Sequence, residues 1–181
     1  MDLSFRFDSW WERLPASPRD AGTIDRLVIR PRGGAPGERH VVESLTVDPE
    51  QGVIGDRWLD DPHRDIDAQV SLINTHVIRS LAASANGTPT ELCGDNLHVD
   101  LDLTEDNLPV GTRLEIGTAI LVVGSKPHRP CRFFVERFGA RGAKKVARAT
   151  RIGRRGRGVL CRVERAGEIR VGDVVHVTRL G

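Results

Sequence analysis

Apolar and polar positions alternate along most of this chain, and they take up helical spacing in only a few places. Residues 23–30 are β-rich and stop at Pro31. Residues 32–37, with three glycines and Pro36, read as a loop. Residues 41–47 form the next strand pattern, ended by the turn chemistry of Asp48-Pro49-Glu50-Gln51-Gly52. Residues 69–73 are a short strand pattern, and Asn74 is placed to cap a helix over 75–83 with Val77, Ile78 and Leu81 on its apolar face. His76 falls in the first turn of that helix, where a surface position is expected. A turn and a short strand follow over 92–100. Leu114-Glu115-Ile116 and residues 119–123 flank Gly117-Thr118, a hairpin pattern. Strand alternation returns over 159–163 and, around a glycine turn, over 168–177.

Helical spacing reappears after residue 131. Pro127 and Pro130 stop the strand pattern of 119–123, and Phe134 and Phe138 then stand four apart. Cys131 is therefore expected at a strand-to-helix junction, beside His128, Arg129 and Arg132. A further helix is expected over 140–149. Residues 1–22 read as an arm packed through Phe7, Trp10, Trp11 and Leu14, and residues 23–181 as one domain. Many short strands, few helices and no βαβ alternation predict a strand-rich α+β or mainly β fold, a closed or nearly closed β-barrel with a few short helices.

Composition narrows the chemistry. Of the 181 residues, 39% are hydrophobic and 29% charged, which excludes a disordered chain. No apolar run reaches the ~20 residues that span a bilayer, and the first residues lack a secretion signal, so a cytoplasmic protein with no membrane partner is expected. Cys93, Cys131 and Cys161 are odd in number and widely spaced, which argues against a disulfide framework, and no CxxC pair exists. Each cysteine is read as a free thiol, with Cys93 and Cys161 expected as packing. Cys131 is either packed or reactive: Arg129, Arg132 and a helix N-terminus favour its thiolate, and His128 is a candidate proton partner. Asp60, Asp61, His63, Asp65 and Asp67 lie close enough in sequence for a divalent metal, but a solvated loop is the better reading. Bases crowd residues 126–165, where Glu136 and Glu164 are the only acids. Such a stretch attracts an anionic small molecule or cofactor, or alternatively nucleic acid or an acidic partner protein. The glycine-rich loop at 151–158 matches neither GxxxxGK[ST] nor GxGxxG, and no GxSxG elbow occurs.

Several segments, in order, resemble the MOSC domain, named for the C-terminal domain of molybdenum cofactor sulfurases. They are Gly55-Asp56-Arg57, Gln69-Val70-Ser71-Leu72-Ile73, Gly94-Asp95-Asn96-Leu97, residues 110–117, Arg129-Pro130-Cys131, Arg157-Gly158-Val159 and Ile169-Arg170-Val171-Gly172-Asp173. The resemblance implies a strand-rich barrel that binds the molybdenum cofactor (molybdopterin). Its activity would be sulfur transfer or cofactor-dependent reduction, as a sulfur-carrier component or an oxidoreductase. It puts Cys131 at the position that contacts metal or carries sulfur. Asp56, Arg57 and Asn96 fall on motif positions and, with Arg129 and Arg132 beside the cysteine, are expected to bind the cofactor. Trp58 stands where many members have histidine, and Asp95 where glutamate is usual. Full sulfurases carry a pyridoxal-phosphate domain, which is not expected in this chain, so a sulfur donor or redox partner protein is implied.

Overall fold

The computed structural model describes residues 3–180, with side chains from Phe7 onward. Its strands are β1 (Ala21–Ile29), β2 (His40–Val42), β3 (Ser44–Asp48), β4 (Gly52–Val53), β5 (Val70–Asn74), β6 (Leu97–Asp100), β7 (Arg113–Ile116), β8 (Ala119–Val123), β9 (Val159–Arg165), β10 (Gly167–Arg170) and β11 (Val174–Thr178). Its helices are α1 (Leu3–Glu12), α2 (Thr75–Ser84) and α3 (Arg132–Arg151).

Seven strands run in the order β11-β7-β8-β9-β5-β6-β1, and β1 pairs again with β11. The ring is therefore a closed barrel, which leaves these strands no free edge. All its pairings are antiparallel except β5 with β6. A parallel pair needs a long crossover, and the segment carrying α2 supplies it. Side chains that alternate inward, among them Leu27, Leu72, Leu97, Leu114 and Leu121, fill the interior and are fully buried. Burying each such side chain is worth about 1.5–3 kcal/mol.

Asn74 caps α2 as its sequence context predicts. Its Oδ1 accepts from the His76 and Val77 backbone N–H groups at 2.9 and 3.1 Å. His76 is only part-exposed, with Nε2 3.2 Å from Asp100. A second core lies between the helices and the barrel, built from Phe7, Trp10, Ile78, Leu81, Phe134 and Val146. Trp10 there donates to Ser80 Oγ at 2.9 Å. The stretch 41–47, expected as one strand, divides at Glu43. β2 pairs with β1, while β3 joins β4 and β10 in a small separate sheet. The Glu43 carbonyl accepts from Val171 N–H at 3.0 Å, outside both ladders.

α3 likewise joins the two helical stretches read from the sequence. Gly139 interrupts it with φ 74° and ψ 157°, a conformation suited to glycine. Its head, up to Phe138, carries the Phe134–Phe138 ring pair, with centroids 4.9 Å apart.

Candidate functional site

β8 ends at Val123, and the chain then runs exposed through Ser125, Lys126 and Pro127. Cys131 stands at the N-cap of α3, extended at φ −88° and ψ 173° after Pro130. Its carbonyl accepts the first helical bond, from Val135 N–H at 3.1 Å, but its side chain caps nothing. The thiol is exposed and free, at the positive end of a helix. The other two cysteines are buried. Burial pushes the Cys161 thiol up to about 12 and raises that of Cys93, where nearby Asp95 adds to the effect. Position therefore singles out Cys131 among three chemically identical residues.

His128 folds inward, as a proton partner would need, but toward Asp95. Its Nδ1 lies 3.5 Å from Asp95 Oδ1, and neither atom has a hydrogen-bond partner. Burial pushes the imidazole down to about 3, and the Arg157 and Arg30 charges add to this against Asp95. At neutral pH it is an uncharged ring. Asp95 is fully buried and ion-paired with Arg157. Burial works against its charge, but the Arg157 guanidinium, together with His128, the Cys93 thiol and His98, holds the carboxyl below the ordinary range. Arg157 also donates to the Cys93 carbonyl at 3.1 Å and lies 4.7 Å over the Phe134 ring. This ties the glycine-rich loop to the head of α3. Gly158, at φ 99°, comes so close to Leu72 that a Cβ would collide with its carbonyl oxygen. The loop therefore lies flat on β5.

Asp56 and Asn96 are buried and turn out to be framework. Asp56 accepts from Arg30 Nε and Nη2 at 3.0 and 2.7 Å, from Trp58 N–H and from Asn96 Nδ2. Burial alone would raise its pKa, but the Arg30 charge and these bonds hold it lowered. Asn96 Oδ1 accepts from Ser71 N–H and Oγ–H, and its Nδ2 reaches Val28 O. With its hydrogen bonding used inside the fold, Asn96 anchors β1, β5 and the Asp56 loop together.

What Asp56 and Asn96 support is a recess of guanidinium groups. Arg57 donates to the Ala35 carbonyl at 2.9 Å, and Arg39 to the Glu38 carbonyl at 2.6 Å. Arg137, on the head of α3, donates to Leu92 O at 2.8 Å. Burial, and after it the charges of Arg137, Arg57 and Arg30, lower the Arg39 pKa to about 10. The Nε atoms of Arg39 and Arg57 are buried without a partner. Crowded cations with unused donors are groups that an anion could satisfy. Arg57 stands among the candidates named from the sequence; Arg30, Arg39 and Arg137, which carry no motif, do not.

Arg129 and Arg132 go elsewhere. Arg132 is exposed, its guanidinium 4.6 Å over the Phe133 ring. Arg129 lines a cleft of about 820 Å3 with Lys126, His128, Arg151 and Arg155, and none of Arg30, Arg39, Arg57 or Arg137 belongs to that lining. Much of the remaining basic stretch is used internally. Arg148 and Arg154 sit over Phe7 at 4.9 and 5.9 Å, and Arg155 donates to the Leu108 carbonyl at 2.6 Å. In the acidic loop Asp60 pairs with Arg32, Asp65 with Lys126, and Asp61 bonds to His63 N–H. Among the described residues no three His, Cys, Asp or Glu side chains converge to hold a metal, and no helix is long and apolar enough to cross a membrane.

Solved structures share this fold. YuaD from Bacillus subtilis is similar over 89% of this chain and 97% of its own, with 23% identity and a TM-score of 0.62. YiiM from Geobacillus stearothermophilus is similar over 87% and 75%, with 19% identity and a TM-score of 0.59. YiiM from Escherichia coli is similar over 86% and 70%, with 20% identity and a TM-score of 0.55. No curated protein matches the chain. The family model of the MOSC domain matches residues 60–176, more than half of the chain, including the segment that carries Cys131. Together with the closed barrel, this match makes the chain a member of the MOSC domain family.

Proposed function

We propose that this protein binds the molybdenum cofactor, a phosphate-bearing pterin, in the recess beside the head of α3. The observation that carries the reading is the pair of unused buried donors, Arg39 Nε and Arg57 Nε, among four guanidinium groups. A phosphate would satisfy those donors and relieve the repulsion between the cations. Arg137 lies on the same helix that Cys131 caps, six residues on and about 9 Å along its axis, so one element carries both a cation of the cluster and the exposed thiol. A thiolate is a soft metal ligand and a sulfur nucleophile, which suits metal contact and sulfur transfer alike. The bound group would supply a redox-active metal. The chain itself supplies charge for the phosphate, one thiolate, and a neutral His128 held on the buried Asp95–Arg157 pair. A separate donor or redox protein completes either activity.

A nucleic-acid module is the weaker reading. Arg154, Arg155 and Arg157 are turned inward onto aromatic rings, backbone carbonyls and Asp95. They do not form the open basic face that a polyanion needs.

Elemental analysis and pterin fluorescence on protein made in a cofactor-competent host test the proposal. Near-stoichiometric molybdenum is expected in the wild type. Cys131→Ser should lose the metal or the sulfur-transfer activity, and Arg39→Ala/Arg57→Ala should lose metal and pterin together. Full cofactor content and activity in Cys131→Ser would sink the mechanism.

A further inference from the structure

The cleft that His128 and Arg129 line has no part in that proposal. Its volume of about 820 Å3 falls in the range of small-molecule sites. Its lining divides by chemistry. Val110, Pro127, Pro130 and Val159 give it apolar walls, and Val110 is 57% exposed. Lys126, Arg129, Arg151 and Arg155 supply four cations against one acid, Glu105. Lys126 is shared with Asp65 at 3.3 Å, and Arg155 with Glu105 at 4.0 Å. Among the described residues Arg129 and Arg151 make no ion pair and no side-chain hydrogen bond. Thr150, also in the lining, has a buried hydroxyl without a partner.

One feature opposes an anion here. Thr150 and Arg151 belong to the last turn of α3, where the helix carries a partial negative charge of roughly half a unit. Two unpaired guanidinium groups outweigh it. We propose that the cleft is a second binding site, for an amphipathic organic anion: a carboxylate or phosphate monoester on an apolar body of one or two rings. Arg129 and Arg151 hold the charge, Thr150 donates one hydrogen bond, and the proline and valine walls take the rings. His128 lines this cleft and faces Asp95, and Arg129 and Pro130 of the lining directly precede Cys131, so the ligand would lie beside the segment that carries the thiol. This is the placement a substrate pocket requires.

The test is fluorescence titration of the full-length protein with 8-anilinonaphthalene-1-sulfonate. Benzoate, phenyl phosphate and benzyl alcohol then compete for the probe. Saturable binding is expected, displaced by the two anions and not by the neutral alcohol. Arg129→Glu and Arg151→Glu, both at exposed positions, should each weaken binding about tenfold, the loss of one charge-assisted bond. Unchanged melting of both variants shows that the fold has survived. Cys131→Ser and cofactor-free protein should bind the probe like the wild type, so failure of the cofactor reading leaves this result standing. Displacement by benzyl alcohol as strong as by benzoate would overturn the proposal. So would affinity within about twofold of wild type in the double charge reversal. Loss of probe binding in Arg39→Ala/Arg57→Ala would show one continuous site and overturn the claim of a second.

Discussion

Inside the barrel, Leu72, Leu97, Leu114 and Leu121 are fully buried among other apolar side chains. Beside the Cys131 segment, Asp56, Asp95, Asn96, His98 and Arg157 are buried almost as completely. The first region is held by a force without direction, so many apolar sequences would fill it. The second holds only because each polar group meets a specific partner, and losing one partner strands the other. Its ionic contacts also stop short of full satisfaction, at His128 Nδ1, Asp95 Oδ1 and the Nε atoms of Arg39 and Arg57. Under the proposed function, the unpaired Nε donors of Arg39 and Arg57 are the groups that would meet the ligand.

Acid should separate the two regions most strongly. His98 is held down to about 4, first by burial, with Arg26 also lowering it and Asp95, Asp25 and Glu91 opposing; His128 is held down to about 3. Both fall below the 6.5 of a free imidazole. Below about pH 6.5 the unfolded chain takes up protons that the fold refuses, so stability is complete above that pH and falls as pH drops. The loss for each imidazole is on the order of 3 kcal/mol by about pH 4. Asp56 and Asp95, with lowered pKa values, add to the loss at still lower pH. Denaturant titration of His98→Gln/His128→Gln should show a flattened slope over this window, and an unchanged slope would place the acid sensitivity elsewhere.

Arg157→Met comes next, with an expected loss of about 4 kcal/mol, because Asp95 is left charged and buried. Adding Asp95→Leu should recover most of it. If the double variant is no more stable than the single, the ion pair is not the source of the cost. Leu121→Ala, in the barrel interior, should cost about 3 kcal/mol as a cavity. That cost should be the same at every pH, and a pH-dependent cost would mean that the two regions are not independent.

The same contrast explains how much could be read from the sequence. The hairpin at Gly117-Thr118, the Asn74 cap and the position of Cys131 before a helix all rest on neighbours in sequence, and all appear in the fold. Asp56 and Asn96 were legible as motif positions, but their use as framework was not. Their partners Arg30, Ser71 and Val28 lie 25 to 68 residues away. Arg39 and Arg137 gave no local signal, since one sits in a loop and the other on a helix face that reads as surface. The split of residues 41–47 was hidden because both halves keep strand composition. Only their pairing, with β1 on one side and with β4 and β10 on the other, tells them apart.

Closure of the barrel has a kinetic consequence. Thr23 pairs with Val174 and Ala21 with His176, so the last seam joins strands some 150 residues apart. A contact of such long range pays its loop entropy before it gains any bonds, which places the barrel among slow-folding topologies. During synthesis β1 emerges early, and its Ala21–Thr23 end waits for its partner until β11 leaves the ribosome, a period in which that stretch of edge is open to other chains.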